Sequence, residues 1–275
     1  YNFNRFGHIK IFTVPTSVTS IENFAFHEIL TLEHIKIPSS ISIIQKNAFN
    51  ECSKFKTIEM NPYRTKFESN DLSNIPSLNQ LVINSRVSSI NQNELDLFKH
   101  FKIIMIPSSV VTIGDNAFYQ YSSLTKFVIP SSVKSIGNKS FYQCSSLEII
   151  KILSPLIRIG NQAFEGCSKL NRITFPSTIT EIGDRSFKGC TKLTEIILPS
   201  SLTSLGSETF EGCSQLNKIT FPSTITKIGD RSFKGCIKLN IEGDIKHLPD
   251  KTFKGCTELT EIILPSSLTS LGSET

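Results

Sequence analysis

The chain has 275 residues, of which 39% are hydrophobic and 19% charged, proportions that are typical of a folded protein and argue against intrinsic disorder. The formal net charge of +5 is small for this length, and no run of five like charges occurs, so the sequence offers no polybasic arm for nucleic acid or lipid. No apolar stretch reaches the roughly 18 residues that a transmembrane helix needs.

A repeat of 23 residues runs through the chain. Its most regular column is a large apolar residue, and a second column, three positions later, contains all 7 cysteines. The first column reads Phe26, Phe49, Leu72, Leu95, Phe118, Phe141, Phe164, Phe187, Phe210 and Phe233. The cysteine column includes Cys52, Cys144, Cys167, Cys190, Cys213, Cys236 and Cys256. A fixed period of this length is typical of a solenoid, in which each coil stacks on its neighbours.

Each coil begins with the pattern LxxIxI, as in Leu193, Ile196 and Leu198. The alternation at its end predicts a short strand, which should stop at the Pro that usually follows, because Pro cannot donate a hydrogen bond to the ladder. Two small hydroxyl residues, two apolar residues and a Gly, here Gly206, come next. We interpret this Gly column as a turn requirement. The stretch from the Gly to the Cys is too short for a multi-turn helix and predicts a turn or a single 3₁₀ turn.

Two regions depart from this pattern. Between about residues 50 and 100, Asn61 and Asn84 replace the Pro, and Arg64 occupies a position where an apolar residue is expected. We therefore expect bulged or irregular coils there. The coil at residues 234–253 is three residues short, and we expect the deletion to fall in the loop after its strand.

The repeats predict one solenoid domain over residues 1–275, with about 12 coils. Near-identical segments starting at Leu170 and Leu216, 46 residues apart, indicate a recent duplication of a two-coil unit. The first residue is Tyr1 rather than Met, no signal-peptide pattern follows it, and the last coil stops before its Phe position. We therefore expect both ends to be truncated.

The consensus LxxIxIPSSVxxIGxxxFxxCxx closely resembles the BspA-like class of leucine-rich repeats. The segment LTKFVIPSSVKSIGNKSFYQCSS, which starts at Leu124, matches it at almost every position. The resemblance implies a leucine-rich repeat solenoid, mostly β, in which a curved right-handed coil stack has a parallel β-sheet on its concave face and turns or short helical turns on its convex face. It also implies a surface-exposed or secreted protein that acts in adhesion and has no catalytic residues.

The cysteine column is compatible with metal ligation, a disulfide ladder or simple burial. We favour burial, because the cysteines lie one coil apart rather than in CxxC pairs and other coils place Ile, Phe or Tyr there. The 5 histidines lack acidic or Cys neighbours at ligand spacing, and no P-loop, GxSxG or HExxH string occurs. We therefore expect no metal, no cofactor and no enzyme activity. Asn138, Lys139 and Ser140 form an N-glycosylation sequon, which matters only if the chain is secreted.

Positions between the apolar slots of each strand should face outward on the concave sheet, because side chains alternate along a strand. We predict that a partner binds Lys36, Ile103, Met105, Lys126, Val128, Ile149, Lys151, Arg172, Glu195, Ile197 and Lys218. The apolar members that should face solvent are Ile103, Met105, Val128, Ile149 and Ile197. Such a patch often marks an interaction site. The cations that would favour an acidic partner are Lys126, Lys151, Arg172 and Lys218. The alternative is a β surface that merely tolerates these residues.

The leading functional hypothesis is a non-enzymatic protein–protein interaction module, an adhesin or ligand-binding protein at the cell surface or secreted, which contacts a protein partner through the concave sheet. Nucleic acid is not expected as a partner. The alternative is an intracellular, cytoplasmic scaffold or regulatory subunit whose cysteines stay reduced. A signal peptide or membrane anchor in the flanking sequence would favour the first hypothesis.

Overall fold

The computed structural model describes residues 8–68, 72 and 75–274. Over these residues the chain forms a parallel β-solenoid with almost no helix, as the repeat predicts. A coil contributes one longer strand and one two-residue strand, except that one coil reduces its longer strand to a bridge at Arg172. Contacts divide the chain into two compact units, Tyr1–Val87 with Glu94–Pro107 and Ser88–Asn93 with Ser108–Thr275.

The first unit contains one sheet of longer strands and one of short strands. The longer strands pair in the order β1 (Ile11–Thr13), β3 (His34–Lys36), β5 (Thr57–Met60), β7 (Gln80–Ile83) and β9 (Ile103–Met105). The short strands pair in the order β2 (Ser20–Ile21), β4 (Ile43–Ile44) and β6 (Lys66–Phe67). A 3₁₀ turn, Asp96–Phe98, lies before β9. Every pairing is parallel, and the repeat period sets the register, as where Ile35 lies opposite Ile58.

The second unit has the same layout. Its short strands pair in the order β8 (Ser89–Ile90), β10 (Thr112–Ile113), β12 (Ser135–Ile136), β14 (Arg158–Ile159), β15 (Glu181–Ile182), β17 (Ser204–Leu205) and β19 (Lys227–Ile228), followed by the separate pair β21 (His247–Leu248) and β23 (Ser270–Leu271). Its longer strands are β11 (Lys126–Ile129), paired with β13 (Ile149–Ile152), and the series β16 (Glu195–Ile197), β18 (Lys218–Thr220), β20 (Lys238–Glu242) and β22 (Glu261–Ile263). The predicted strand end is confirmed at β11, which stops directly before Pro130.

Columns of like residues fill the interior. The rings of Phe141 and Phe164 stack with centroids 5.3 Å apart and planes 10° apart, and Phe187 continues the stack at 5.4 Å. All three side chains are fully buried. Because a single coil cannot cover its own ring, each coil depends on both neighbours for the burial that stabilises it.

A ladder of Asn and Asp side chains joins successive coils of the second unit. Asp115 Oδ1 accepts a hydrogen bond from the backbone N–H of Asn138 at 2.6 Å, and Asn138 Oδ1 accepts one from Asn161 at 2.8 Å. The pattern continues to Asp184 at 3.0 Å and from Asp184 to Ser207 at 2.8 Å. These side chains satisfy backbone donors that no strand pairing reaches.

The Gly column lies directly beside this ladder, and its role differs from the predicted one. Gly206 does not have a positive φ; instead, a Cβ built there would lie 2.5 Å from Asp184 Oδ1 and 2.6 Å from the carbonyl carbon of Gly183. The interpretation of this column as a turn requirement is therefore wrong, since the constraint is the close approach of two coils. A different glycine, Gly212 with φ +74°, supplies the left-handed turn.

The irregular coils differ from the repeat at their turns rather than at their strands. β5 and β7 keep the normal register over four residue pairs. In the turn that follows β5, Arg64 points to solvent and Thr65 is buried instead. The N–H of Thr65 donates to the Asn61 carbonyl at 3.4 Å, and its Oγ1 donates to the Ile41 carbonyl at 3.0 Å. The predicted irregularity is thus a wider turn that replaces a buried apolar side chain by a hydrogen-bonded hydroxyl.

The shortened coil loses residues in two places. Ile219 of β18 lies opposite Ile241 of β20, an offset of 22 residues, although Leu216 and Leu239 of the same two coils are 23 residues apart. One residue is therefore lost between Leu239 and Ile241, within β20, and the expectation that the whole deletion falls after the strand is wrong. Within the described residues β21 pairs only with β23, so the short-strand sheet is interrupted here.

Candidate functional site

The outward-facing side chains of the longer strands form a surface that we call the strand face. Because side chains alternate, Phe127 and Ile150 point inward and are buried while their neighbours face solvent. On the strand face of the second unit, Val128, Ile149 and Ile197 expose 48%, 47% and 57% of their surface. The predicted partner-binding residues of this unit, which all lie on its strand face, are Lys126, Val128, Ile149, Lys151, Arg172, Glu195, Ile197 and Lys218.

Strands β11 and β13 place cations and apolar side chains alternately. Lys126 lies opposite Ile149, and Val128 lies opposite Lys151. Ile149 also bridges to Arg172 of the next coil. Side chains at paired positions stand about 5 Å apart. Ile149 therefore lies between two cations, and Val128 lies beside a third.

The cations of this strand face fall into two groups. Among the described residues, those without a carboxylate within ion-pair distance are Lys126, Lys151 and Arg172. Lys218, in contrast, lies 3.5 Å from Glu195 and 3.1 Å from Glu242. The expectation that Lys218 adds free positive charge is therefore wrong, because two carboxylates neutralise it.

The strand face of the first unit is more polar. Lys36 Nζ lies 2.9 Å from Glu59, which also approaches His34 Nε2 at 3.6 Å. Met105 exposes 49% of its surface, and Gln80 donates a hydrogen bond to its sulfur at 3.3 Å. Ile103 faces the same way but is partly buried, so it offers less apolar surface to solvent than Met105 does.

Further exposed apolar residues lie beyond the strand face, at positions that the sequence analysis did not consider. Leu153 and Ile157 expose 50% and 63% of their surface. Together with Ile149 they form what we call the apolar edge, which leads from β13 through the following turn to the residue before β14. The signal was present in the sequence, because the segment LSPLI interrupts the usual Pro and hydroxyl columns.

The cysteine column is buried, in line with the favoured interpretation. Six of the seven thiols are buried, and all are free. The Cys190 thiol donates to the Phe164 carbonyl of the preceding coil at 3.3 Å. Burial raises the pKa of Cys144 to about 12 and that of the less buried Cys256 to about 11. At neutral pH these thiols are protonated, so they act as small apolar residues with a weak hydrogen bond.

One group of donor atoms in the first unit was not foreseen. His27 Nε2 lies 3.8 Å from Glu28 Oε1, and donor atoms of His27, Glu28 and Glu51 all lie within 4.8 Å of one another. The expectation that no histidine has acidic neighbours at ligand spacing is wrong here, because Glu51 comes from the adjacent coil. Both carboxylates are exposed, and no other observation on the described residues indicates an ion, so we assign this group no role.

The repeat pattern and this coil geometry match a known family. A model of the BspA type Leucine rich repeat region matches the chain in 6 copies, over residues 1–122, 111–240 and 180–275. The chain belongs to the BspA-type leucine-rich repeat family. The resemblance inferred from the consensus is thereby confirmed. Such leucine-rich repeat chains are typically protein-interaction modules rather than enzymes.

Several solved structures resemble this BspA-type chain. A leucine-rich repeat protein from Bacteroides ovatus is 25% identical, with 96% of this chain and 71% of that chain covered and a TM-score of 0.51. The T. pallidum leucine-rich repeat protein TpLRR is 34% identical over 54% of this chain and 72% of that chain, with a TM-score of 0.47. The pneumococcal vaccine antigen PcpA is 18% identical, with 97% of this chain and 89% of that chain covered and a TM-score of 0.45. The first of these supports the fold.

No curated protein matches the BspA-type chain. Among the helices of the described residues, none has the length and apolar character that crossing a membrane requires.

Proposed function

We propose that this BspA-type repeat chain is a protein-binding module of a cell-surface or secreted adhesin and that it contacts a protein partner through the strand face. The observation that carries the proposal is the exposed pair Val128 and Ile149, which lie diagonally across the neighbouring strands β11 and β13 of the second unit. Covering the exposed half of such a side chain is favourable by about 1 kcal/mol. The neighbouring cations Lys126 and Arg172 favour an acidic partner, because they have no described carboxylate to neutralise them.

The double variant Val128→Asp with Ile149→Asp tests this proposal. A protein ligand is first recovered by cross-linking from cells to which the chain adheres, and its affinity for each variant is then measured by surface plasmon resonance. We expect the affinity to fall at least about 100-fold, because two apolar contacts are lost and two like charges meet an acidic partner.

The matched control is Ile237→Asp, since Ile237 is also 47% exposed but lies outside the strand face. It should bind with wild-type affinity, and circular dichroism should give unchanged melting curves for both variants. Equal affinity of the wild type and the double variant would contradict the proposal. Ile103→Asp with Met105→Asp asks the same question of the first unit separately.

The location at the cell surface is proposed from family membership, and antibody labelling tests it. Intact cells of the source should be labelled before permeabilisation. Labelling only after permeabilisation would favour the intracellular scaffold instead. The thiols cannot make this distinction, because six of the seven are buried and would stay free in either compartment.

A further inference from the structure

The apolar edge continues the exposed apolar surface of the second unit past the strand face. Its exposed fractions rise along the chain, from 47% at Ile149 to 50% at Leu153 and 63% at Ile157. The last of these residues lies directly before β14. An apolar side chain at any of these positions has its outer half in water, which is unfavourable unless another surface covers it.

The fold does not require these residues. At the position of Leu153 the adjacent coils have Pro130 and Pro176, and at the position of Ile157 they have Lys134 and Thr180. The buried slots of this coil are filled by other residues, since Leu156 and Ile159 are fully buried. Neither Leu153 nor Ile157 therefore contributes much to the interior, so packing within the coil does not explain why both are apolar.

Cations border the apolar edge on both sides. Lys126 and Arg172 lie beside Ile149 on the strand face, and Lys134 occupies the position of Ile157 in the preceding coil. Within the described part of the chain, Lys134 has no carboxylate at ion-pair distance, whereas Arg158 lies 3.3 Å from Glu181. The positive charge around the edge is thus largely uncompensated by this chain.

We propose that the binding surface of the second unit turns the corner of this coil and that its occupant is an extended segment of a partner protein with acidic and apolar side chains in alternation. This inference rests on the proposed function and specifies its partner. A polyanionic glycan could pair with the cations but would leave Val128 and Leu153 against polar groups. Lys126 and Arg172 would also attract an anionic bilayer, so binding to lipid vesicles is measured as a competing outcome.

A phage library of random 12-residue peptides, selected on the full chain, supplies the probe. Enriched peptides are synthesised, and their affinity is measured by fluorescence anisotropy for the wild type and for Leu153→Ser with Ile157→Thr. Thr is the residue at this position in the next coil, so the second change suits the fold. The control Ile237→Thr makes the same change at a similarly exposed site, in a column where other coils have Ser or Thr.

We expect enriched peptides to combine Asp or Glu with apolar residues, the edge variant to bind them about 30-fold more weakly, and the control to bind within about 2-fold of the wild type. If the edge variant binds normally while Val128→Asp with Ile149→Asp does not, the inference fails and the proposed function stands. If neither variant changes the affinity, both fail. Enrichment of no peptide, or of peptides without acidic residues, also overturns the inference. So does stronger, edge-dependent binding to heparin or to phosphatidylserine vesicles, since the partner class would then be wrong.

Discussion

Gly206→Ala should be one of the most damaging single-methyl changes in this protein. The added Cβ would meet the backbone N–H of Asp184 and lie 2.5 Å from its Oδ1, where an ordinary contact needs about 3.5 Å. The two coils would have to separate locally by about 1 Å. That movement would stretch the hydrogen bond from Gly206 to the Ile182 carbonyl, now 2.8 Å, and the one from Ser207 to Asp184, also 2.8 Å.

Two weakened hydrogen bonds at about 1 kcal/mol each, with about 1 kcal/mol of overpacking, predict a loss of about 3 kcal/mol in the free energy of unfolding. Urea unfolding followed by circular dichroism measures it. Gly212→Ala is the control, because a Cβ there would lie 3.7 Å from Gly189, an ordinary contact distance. Its only cost is that of placing Ala at φ +74°, about 1 to 2 kcal/mol. A Gly206→Ala variant as stable as Gly212→Ala would refute the close-approach argument.

Two further predictions concern ionisation. Hydrogen bonds from Arg185 and then Lys188, both at 2.8 Å, lower the pKa of Glu208 to about 2. The contribution of the ionised Glu208 to the free energy of unfolding is therefore complete above the unfolded pKa of about 4.3 and is lost as the pH falls through about 2. Glu208→Gln should therefore lower the free energy of unfolding by about 1 kcal/mol at pH 7. The difference from the wild type should shrink towards about pH 2, and a pH-independent difference in urea midpoints would rule out this linkage. Ellman's reagent should label Cys256 before any other thiol of the folded chain, because the other six thiols are buried and the reagent cannot reach them. Burial raises the pKa of Cys256 to about 11, so its reaction should still be slower than that of an unfolded thiol. Equally fast labelling of the fully buried Cys190 would contradict the described burial.

Much of the fold could be predicted because each coil repeats the same local choices. The spacing of Leu, Ile and Phe identifies the buried columns, and Pro130 marks a strand end for reasons that lie within one coil. The role of Gly206 could not be predicted in this way. It depends on the distance between two backbones in neighbouring coils, and a Gly that avoids a clash has the same letter as a Gly that forms a turn.

The candidate site could be predicted only in part for the same reason. Alternation placed Val128 and Ile149 correctly on the surface. The neutralisation of Lys218 by Glu195 was missed although the two residues lie opposite each other at the ordinary offset of 23 residues. Its second carboxylate, Glu242, could not be predicted, because the offset of 22 residues in β20 follows from a deletion that was expected after the strand. Leu153 and Ile157 were missed because only strand positions were considered, although their departure from the repeat was visible in the sequence.

The Asn and Asp ladder makes the joint between coils interchangeable. Asn138 accepts a hydrogen bond from the backbone N–H of Asn161, and a backbone N–H is the same group whatever residue the next coil places there. The near-identical segments from Leu170 and Leu216 repeat the acceptor as Asp184 and Asp230, 46 residues apart, and Asp184 forms the joint with Ser207. A gene that gains or loses two-coil units would therefore change the length of the solenoid without changing the joints between coils. The outward-facing residues of each unit would remain free to diversify.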